Sequence, residues 1–585
     1  MFISNLKLWN FRQFTQNDEC IDVTKPHLNI DFVDGLNVLI GENDSGKSSI
    51  IDAIKLVTKT HSVEWVRLQE SDFSYGKNIL RIEVTIRGIP NNIALSIVDK
   101  LLFDESTGEH YLNLVLEAEK SDTKILPYEV KVNNGELVQI NAEEKDLLKA
   151  TYLKALRDAD NELTAKKNSR FSQILLGHDL FKEGASGKTR FEGIFQQANN
   201  EIKAWFNDST GGESSTKHQI KDVIDNFIHE FLSNDYAAEL SISESSIKSI
   251  LERVSVSIMG ASNLGLGSMN RLFMATELLH LRGRNNGMRL CLIEELEAHL
   301  HPQAQMKVIE GLQKELEVQF IMTTHSPNLA SKLKLDSENT AVILCKDCDA
   351  YPLTKGKTRL EPNDYKYLDN FLDVTKSNLF FAKGIIIVEG WAEDLLIPAL
   401  AENQGYPLSK YEVSVVNVGS TAYLHYARIL MRNDGKKLDY RVAIVTDLDV
   451  PINDQGFFDE NDESKKLRSI NTKLGSEGCG NVELFLASHW TLEWCLFKST
   501  TLSKMFKSCC MEVHSGTPEF KKTMDDSWNE DAFQIKLAEK LKKQSLNKVA
   551  IATLLSQRIK ESAKLDFDEN DMAYYLLKAI RFVCR

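Results

Sequence analysis

The spacing of apolar and polar positions predicts two kinds of strand. Residues 81–89 (RIEVTIRGI), 111–119 (YLNLVLEAE) and 128–132 (YEVKV) alternate, as antiparallel strands with one wet face do. Phe2 to Trp9 opens the chain with a similar strand. By contrast, Leu36-Asn37-Val38-Leu39-Ile40 is a buried strand running straight into a glycine loop, and further strand signals fall at 253–259, 289–293, 318–322 and 340–345. From about residue 142 the period turns helical, through YLKALRDAD, SRFSQILLG, FEGIFQQANNEIKAWF and IKDVIDNFIHEFL. The last two flank a polar Gly/Ser loop, NDSTGGESSTKH (207–218), so a helical insertion is expected over 165–235. A second α/β pattern starts near 378, with strands GIIIV, YEVSVVNV and RVAIVTD alternating with helices. No solenoid repeat appears, and no heptad run supports an extended coiled coil.

Composition adds limits. At one domain per ~150 residues, 585 residues would make about four domains. With 84 acidic against 70 basic side chains the net charge is −14, which argues against coating nucleic acid through bulk charge. A local basic path or metal ions could still carry such a contact. No apolar run approaches the ~20 residues of a membrane span, and the opening MFISNLKLWNFRQF lacks the apolar core of a signal peptide. Nine scattered cysteines point to a reduced, cytoplasmic setting. Cys345 and Cys348 have C-x-x-C spacing but no second pair nearby, and read as small residues at a strand end.

Gly41-Glu42-Asn43-Asp44-Ser45-Gly46-Lys47-Ser48 matches G-x-x-x-x-G-K-S between a buried strand and a helix that continues through Ser49. The backbone N–H groups of such a loop converge on phosphate oxygens. Lys47 would reach the β- and γ-phosphates of ATP, and Ser48 would hold Mg²⁺. Strand Leu290 to Ile293 ends in Glu294, placed to hold that ion, and Glu295, placed to polarise the attacking water. Thr323-Thr324-His325 ends another strand, where the imidazole could meet the γ-phosphate. Leu264-Gly265-Leu266-Gly267-Ser268 precedes a helix, and Gly267 and Ser268 would offer an anion site facing a partner subunit's ATP.

In this order the pieces resemble the ABC-type ATPase head over about residues 1–350. NFRQF (10–14), ENDSGKSS and EELEAHLHP are similar to its chromosome-maintenance and DNA-repair branch. The resemblance places Arg12 near the nucleotide and makes Gln69 the candidate metal-sensing glutamine. LGLGS replaces the common L-S-G-G-Q, and Leu296 replaces a frequent proline, so fast turnover is not implied.

Further on, strand Gly384 to Val388 ends in Glu389-Gly390, with Glu393 as the next helix begins. Strand RVAIV runs into Thr446-Asp447-Leu448-Asp449, and alternation would put both aspartates on one face. Such crowded carboxylates call for divalent cations. Mg²⁺ or Mn²⁺ fits an oxygen-only set, and two ions ~3.5–4 Å apart suit phosphodiester cleavage. E-G-x-x-E … D-x-D resembles the Toprim fold over roughly 380–490, with Glu389 as metal ligand or general base and Asp447 and Asp449 as the metal pair.

The whole chain resembles the OLD (overcoming lysogenization defect) nuclease family, also through YLKALRDA, LFFAKGIIIVEG and SHWTLEWCL. That resemblance implies Glu493 as a further metal support and Lys548, after the lysine-rich helix Lys536 to Lys543, as a catalytic lysine. The expected fold is α/β: an ABC-type ATPase head (1–164 and 236–375), a helical dimerisation insertion (165–235) and a Toprim domain with a helical extension (376–585). The expected function is an ATP-regulated, metal-dependent DNA endonuclease or nickase in anti-phage defence, cytoplasmic and homodimeric or larger. A helicase-like protein, or a reverse transcriptase with its RNA–DNA product, is the kind of partner implied. The alternative is an ATP-dependent DNA-binding scaffold whose Toprim site does not cleave. A topoisomerase would need a tyrosine on a DNA-gate domain for which too little chain follows 490.

Overall fold

The two strand patterns separate in space in a computed structural model of the chain. It describes residues 1–15, 21–61, 66–121, 124–154, 162–167, 169–181, 190–207, 223–230, 246–260, 265–282, 287–298, 300–436, 438, 440–451, 464–465, 468–469 and 480–585. The chain divides into two units. One comprises Met1–Lys59, Val66–Asn141 and Leu292–Arg585; the other comprises Thr60–Trp65 and Ala142–Cys291.

In the first unit the alternating segments form an antiparallel sheet in which Phe2–Trp9 lies between Leu28–Asp31 and Ile79–Arg87. Ile79–Arg87 pairs in turn with Glu109–Ser121. The continuous apolar segments form the parallel core beside it. Leu36–Ile40, every residue buried, lies between Gln319–Thr324 and Thr340–Lys346, with Ile40 in register with Thr324 and Leu344. The nucleotide loop, Thr323-Thr324-His325 and Lys346 therefore share one sheet edge.

A four-stranded parallel sheet follows, in the order Val413–Asn417, Gly384–Val388, Arg441–Thr446, Val482–Leu486. Val388 is level with Asn417 and Val445, and Thr446 with Leu486, which brings Glu389 and Asp447 to a common edge. Helices Trp391–Asn403, Lys548–Glu561 and Tyr574–Val583 bury their apolar residues with this sheet in one core. Phe520 and Phe533, ring centroids 4.4 Å apart, extend that core under the C-terminal helices.

The second unit contains helices Arg170–Gly177, Arg190–Asn207 and Leu266–Arg282. Arg170 clamps Glu277 through two buried bonds of 2.6 and 2.8 Å, the fork geometry in which a buried ion pair satisfies itself. Much of the stretch 165–235, including most of the Gly/Ser loop, lies outside the described residues, as do residues 155–159 of YLKALRDA.

Three local expectations fail. Residues 253–259 form no strand, since no described neighbour completes a ladder with them. Thr151–Leu153 is a short strand where a helical period was expected. The helix that Gly267 and Ser268 were expected to precede already begins at Leu266, so both lie in its first turn. Arg271 folds back to bond Gly267 O and Ser268 Oγ at 3.3 and 3.1 Å. No described helix is long and apolar enough to cross a membrane.

Candidate nucleotide and carboxylate sites

At the first site the buried strand stops at Ile40 and the chain turns through Gly41 (φ 144°) and Gly46 (φ 96°) into helix Lys47–Thr58. Both glycines are required. A Cβ on Gly41 would lie 2.1 Å from Cys345 O, and one on Gly46 would lie 2.6 Å from both Gln13 and Phe14. The opening NFRQF phrase thus packs directly on the loop, and Ser49 Oγ bonds Gln13 Oε1 at 3.0 Å. Arg12, beside them, is held by two acids. It pairs with Asp52 of the following helix and with Asp72, at 2.8 and 2.9 Å.

Lys47 is buried, and its ammonium donates to Gly41 O and Ser45 Oγ at 3.0 Å each and also to Glu42 O. Burial pulls its pKa down, and the neighbouring acids, Glu297 among them, offset only part of that. Asn43 and Ser48 are exposed at the mouth of the loop. Of the paired glutamates, Glu294 is half-buried, whereas Glu295 is exposed with a left-handed backbone (φ 44°). A carboxylate that the spacing does not point to, Glu297, meets the end of strand Gln319–Thr324. It accepts from His325 N at 2.5 Å and Thr324 Oγ1 at 2.9 Å, and burial raises its pKa. His325 is held below its ordinary pKa by burial first and by Lys47 second. Gln69 is exposed, its backbone N–H donating to Asp72 Oδ2 at 2.8 Å. Cys345 is buried with its thiol pushed up to about 12 by that burial, while Cys348 occupies the following turn at φ 63°.

At the second site, Glu389 leaves its strand beside Thr446, whose hydroxyl donates to Glu389 Oε1. Gly390 caps helix Trp391–Asn403 and lets Glu393 fold back under it, buried, with Oε2 3.3 Å from where a Cβ on Gly390 would sit. Asp447 Oδ1 accepts from Leu492 N at 2.7 Å, which ties the strand end to helix Leu492–Lys498 carrying Glu493. Lys548 is the first residue of helix Lys548–Glu561, capped by Asn547, and its Nζ lies 2.9 Å from Glu493 Oε2. Beyond this ion pair that buried oxygen has no other partner among the described residues, which leaves it acceptor capacity.

Electrostatics bind the group together. Burial first, then Glu493, pushes Glu393 up to about 7. Burial, then Glu493 and Glu393, holds Asp447 well above the usual carboxylate range. Burial would lower Lys548, but Glu493, Asp447 and Glu393 outweigh it and raise its pKa. Asp449 departs from expectation: the strand ends at Thr446, and at Asp449 the backbone turns left-handed (φ 54°), its N–H donating to Trp490 O at 2.7 Å. The two aspartates therefore do not share one face of an extended segment. Tyr423, not anticipated, lies within the field of Glu389 and Asp449 and bonds Thr446. Among the described residues no three His, Cys, Asp or Glu side chains already converge as a metal site. The donor chemistry nevertheless fits a hard cation: only carboxylates, mutually repelling, with one lysine as counter-charge.

The fold and these two strand-end sites define an α/β protein that joins a P-loop ATPase core to a Toprim domain. A family model described as AAA ATPase domain matches residues 1–175 and 103–330, more than half of the chain, and the chain belongs to that family. The model of the Overcoming lysogenization defect protein-like TOPRIM domain matches residues 380–449. The chain is 21% identical over 569 residues to Endonuclease GajA of Bacillus cereus (strain HuB5-5), covering 81% of this chain and 79% of that protein. It is 27% identical over 227 residues to the Retron Ec83 probable ATPase of Escherichia coli, covering 37% and 36%. Among solved structures it is similar to the C-terminal region of the Xanthomonas campestris pv. campestris OLD protein (23% identity, 35% of this chain and 94% of that one, TM-score 0.23). It is also similar to the SmcHead bound to the C-winged helix domain of ScpA (17% identity, 61% and 98%, TM-score 0.36).

Proposed function

We propose that the chain is an ATP-regulated, divalent-metal-dependent DNA endonuclease or nickase of the OLD family, acting in anti-phage defence. The observation that carries this reading is the cluster of Glu393, Asp447 and Glu493 around the ammonium of Lys548, with Glu389 in the field of Glu393 and Asp447. Glu389, Glu393, Asp447 and Asp449, supported by Glu493, are the residues to hold Mg²⁺ or Mn²⁺. Bound metal would supply water activation and charge neutralisation at the scissile phosphate. Lys548 then contributes the remaining positive charge, donating to the departing oxyanion. Thr446 fixes the Glu389 carboxylate through its hydroxyl.

At the other site, Gly41 through Ser49 would hold the triphosphate of ATP and Ser48 and Glu294 its magnesium, while Glu295 polarises the attacking water and His325 meets the γ-phosphate. Glu297 locks the His325 backbone. The signature segment with Gly267 and Ser268 serves a partner subunit's nucleotide. The domain division at 164, 235 and 375 and a cytoplasmic homodimer through residues 165–235 belong to the same reading. A monomeric mass by light scattering would reject the dimer. The Escherichia coli relative is a retron probable ATPase, which supports a defence setting; a helicase-like protein, or a reverse transcriptase with its RNA–DNA product, belongs to the same reading as a partner.

The deciding experiment is cleavage of supercoiled plasmid with Mg²⁺ or Mn²⁺ by wild type and Glu389→Ala. Wild type is expected to nick or linearise, and the variant to lose about a hundredfold or more. Plasmid bound but uncut by wild type under every metal and nucleotide condition would favour the scaffold reading.

A further inference from the structure

A second polar cleft lies within the first unit, away from the carboxylates. It has a volume of about 410 Å³ and is lined by Glu42, Lys346 and Asp347 on one side and by Lys383, Lys410, Arg441 and Arg585 on the other. Topology shows why the cations gather there. Gly384 is in register with both Val413 and Arg441, so Lys383, Lys410 and Arg441 mark the beginnings of three adjacent parallel strands. Glu389 and Asp447 lie at the opposite ends of the same strands. Ligands of open α/β sheets ordinarily sit at the C-terminal edge, so this cationic N-terminal edge is not explained by the carboxylate site. Facing it is the C-terminal edge of the ATPase sheet, carrying Glu42 of the nucleotide loop and Lys346.

Only part of this charge is spent within the lining. Glu42 is neutralised by Lys346, whose ammonium also lies 4.3 Å from the centre of the Tyr440 ring. Lys383 meets Glu412 at 3.1 Å, but both side chains are more than half exposed, a pair that water screens. Arg441 donates to Phe582 O at 3.1 Å, a neutral partner. Among the described residues neither Lys410 nor Arg585 is paired with a carboxylate. Against these four cations the lining sets only Asp347 beyond the neutralised Glu42.

We infer that this cleft is a binding site for a compact polyphosphate anion, distinct from the phosphate cradle at Lys47 and Ser48 and from the carboxylate cluster. Its volume suits a small ligand. The same chemistry is presented by free pyrophosphate and by the tail of a nucleoside diphosphate. Either would bridge the nucleotide loop's Glu42–Lys346 pair and the starts of the Toprim strands. The inference does not depend on whether the Toprim site cleaves DNA.

The test is isothermal titration of the full chain carrying Lys47→Ala, which removes the P-loop ammonium, with pyrophosphate and separately with ADP, neither with metal. Saturable binding of one ligand per chain is expected, weakened at least about tenfold when Lys410→Glu and Arg585→Glu are added. Both of those residues are exposed, and an unchanged thermal midpoint without ligand verifies that the variant folds. Tighter ADP identifies a nucleotide tail as the source, and tighter pyrophosphate identifies the free anion. No binding to the Lys47→Ala chain, or binding indifferent to the two reversals, overturns the site. Displacement of pyrophosphate by a short single-stranded oligonucleotide of higher affinity also overturns it, and makes the cleft a DNA path.

Discussion

The nucleotide loop and the carboxylate cluster are built on one plan with opposite charge. Each lies where a buried parallel strand ends, a glycine turns the chain, and a helix begins. In the first, a buried lysine is caged by Gly41 O, Glu42 O and Ser45 Oγ, neutral oxygens that hold it without cancelling its charge. In the second, several carboxylates crowd one lysine, and two of them are pushed far above their ordinary pKa. The first site has positive charge to spend on an anion; the second has negative charge to spend on cations. A strand–glycine–helix corner therefore does not determine a ligand. The sign of the charge left uncompensated there does.

The largest effects should come from changing that sign at the carboxylate site. Asp447→Asn keeps an oxygen to accept the Leu492 N–H but removes a charge from a repelling group. Lys548→Met removes the counter-charge instead. Both are expected to reduce plasmid cleavage by about a hundredfold or more. Their effects on stability should be opposite. Asp447→Asn is expected to gain about 1 kcal/mol in metal-free urea unfolding. Lys548→Met should lose about 1–3 kcal/mol, less than a fully buried break because that side chain is 43% exposed. Equal shifts of one sign would undo the contrast between the sites. The nucleotide loop is limited by space rather than charge. Gly41→Ala would place a Cβ 2.1 Å from Cys345 O and should cost about 2–3 kcal/mol together with ATP binding, read by calorimetry.

Much of this plan was legible along the chain, because both sites follow strands whose apolar runs are unmistakable. Gly41 to Ser48, Glu389, Glu393 and Asp447 lie where strand ends and glycines put them. What could not be read depends on backbone turns after a strand has stopped. Two-residue alternation predicted a shared face for Asp447 and Asp449, but it holds only while the chain stays extended, and Asp449 turns left-handed (φ 54°). The same left-handed turn at Glu295 leaves that side chain exposed, while Glu297, two residues on, reaches His325. Tyr423 comes to Thr446 from a different helix, and no local spacing signals such a contact. The cleft cations are also distant in sequence: the register of three strands joins Lys383, Lys410 and Arg441, and Arg585 arrives after helix Tyr574–Val583.

The smallest predicted effect uses pH to separate the two sites. Glu393 is the buried acid whose folded-state pKa, about 7, lies above its ordinary 4.5. Between those values the folded chain keeps a proton that the unfolded chain has released. Its contribution to stability is therefore fully present below pH 4.5 and is lost as pH rises through 7. In EDTA the unfolding free energy should fall across that window on account of this group. Glu393→Gln should flatten the slope, since a neutral side chain has no proton to lose. Saturating Mg²⁺ should reverse it, because a cation stabilises the ionised cluster and competes with the proton for it. Lys47→Ala, at the site of opposite sign, should leave the EDTA slope as it is. If Glu393→Gln leaves the slope unchanged while Lys47→Ala removes it, the nucleotide loop carries the charge imbalance, and the assignment of cation binding to the Toprim edge fails.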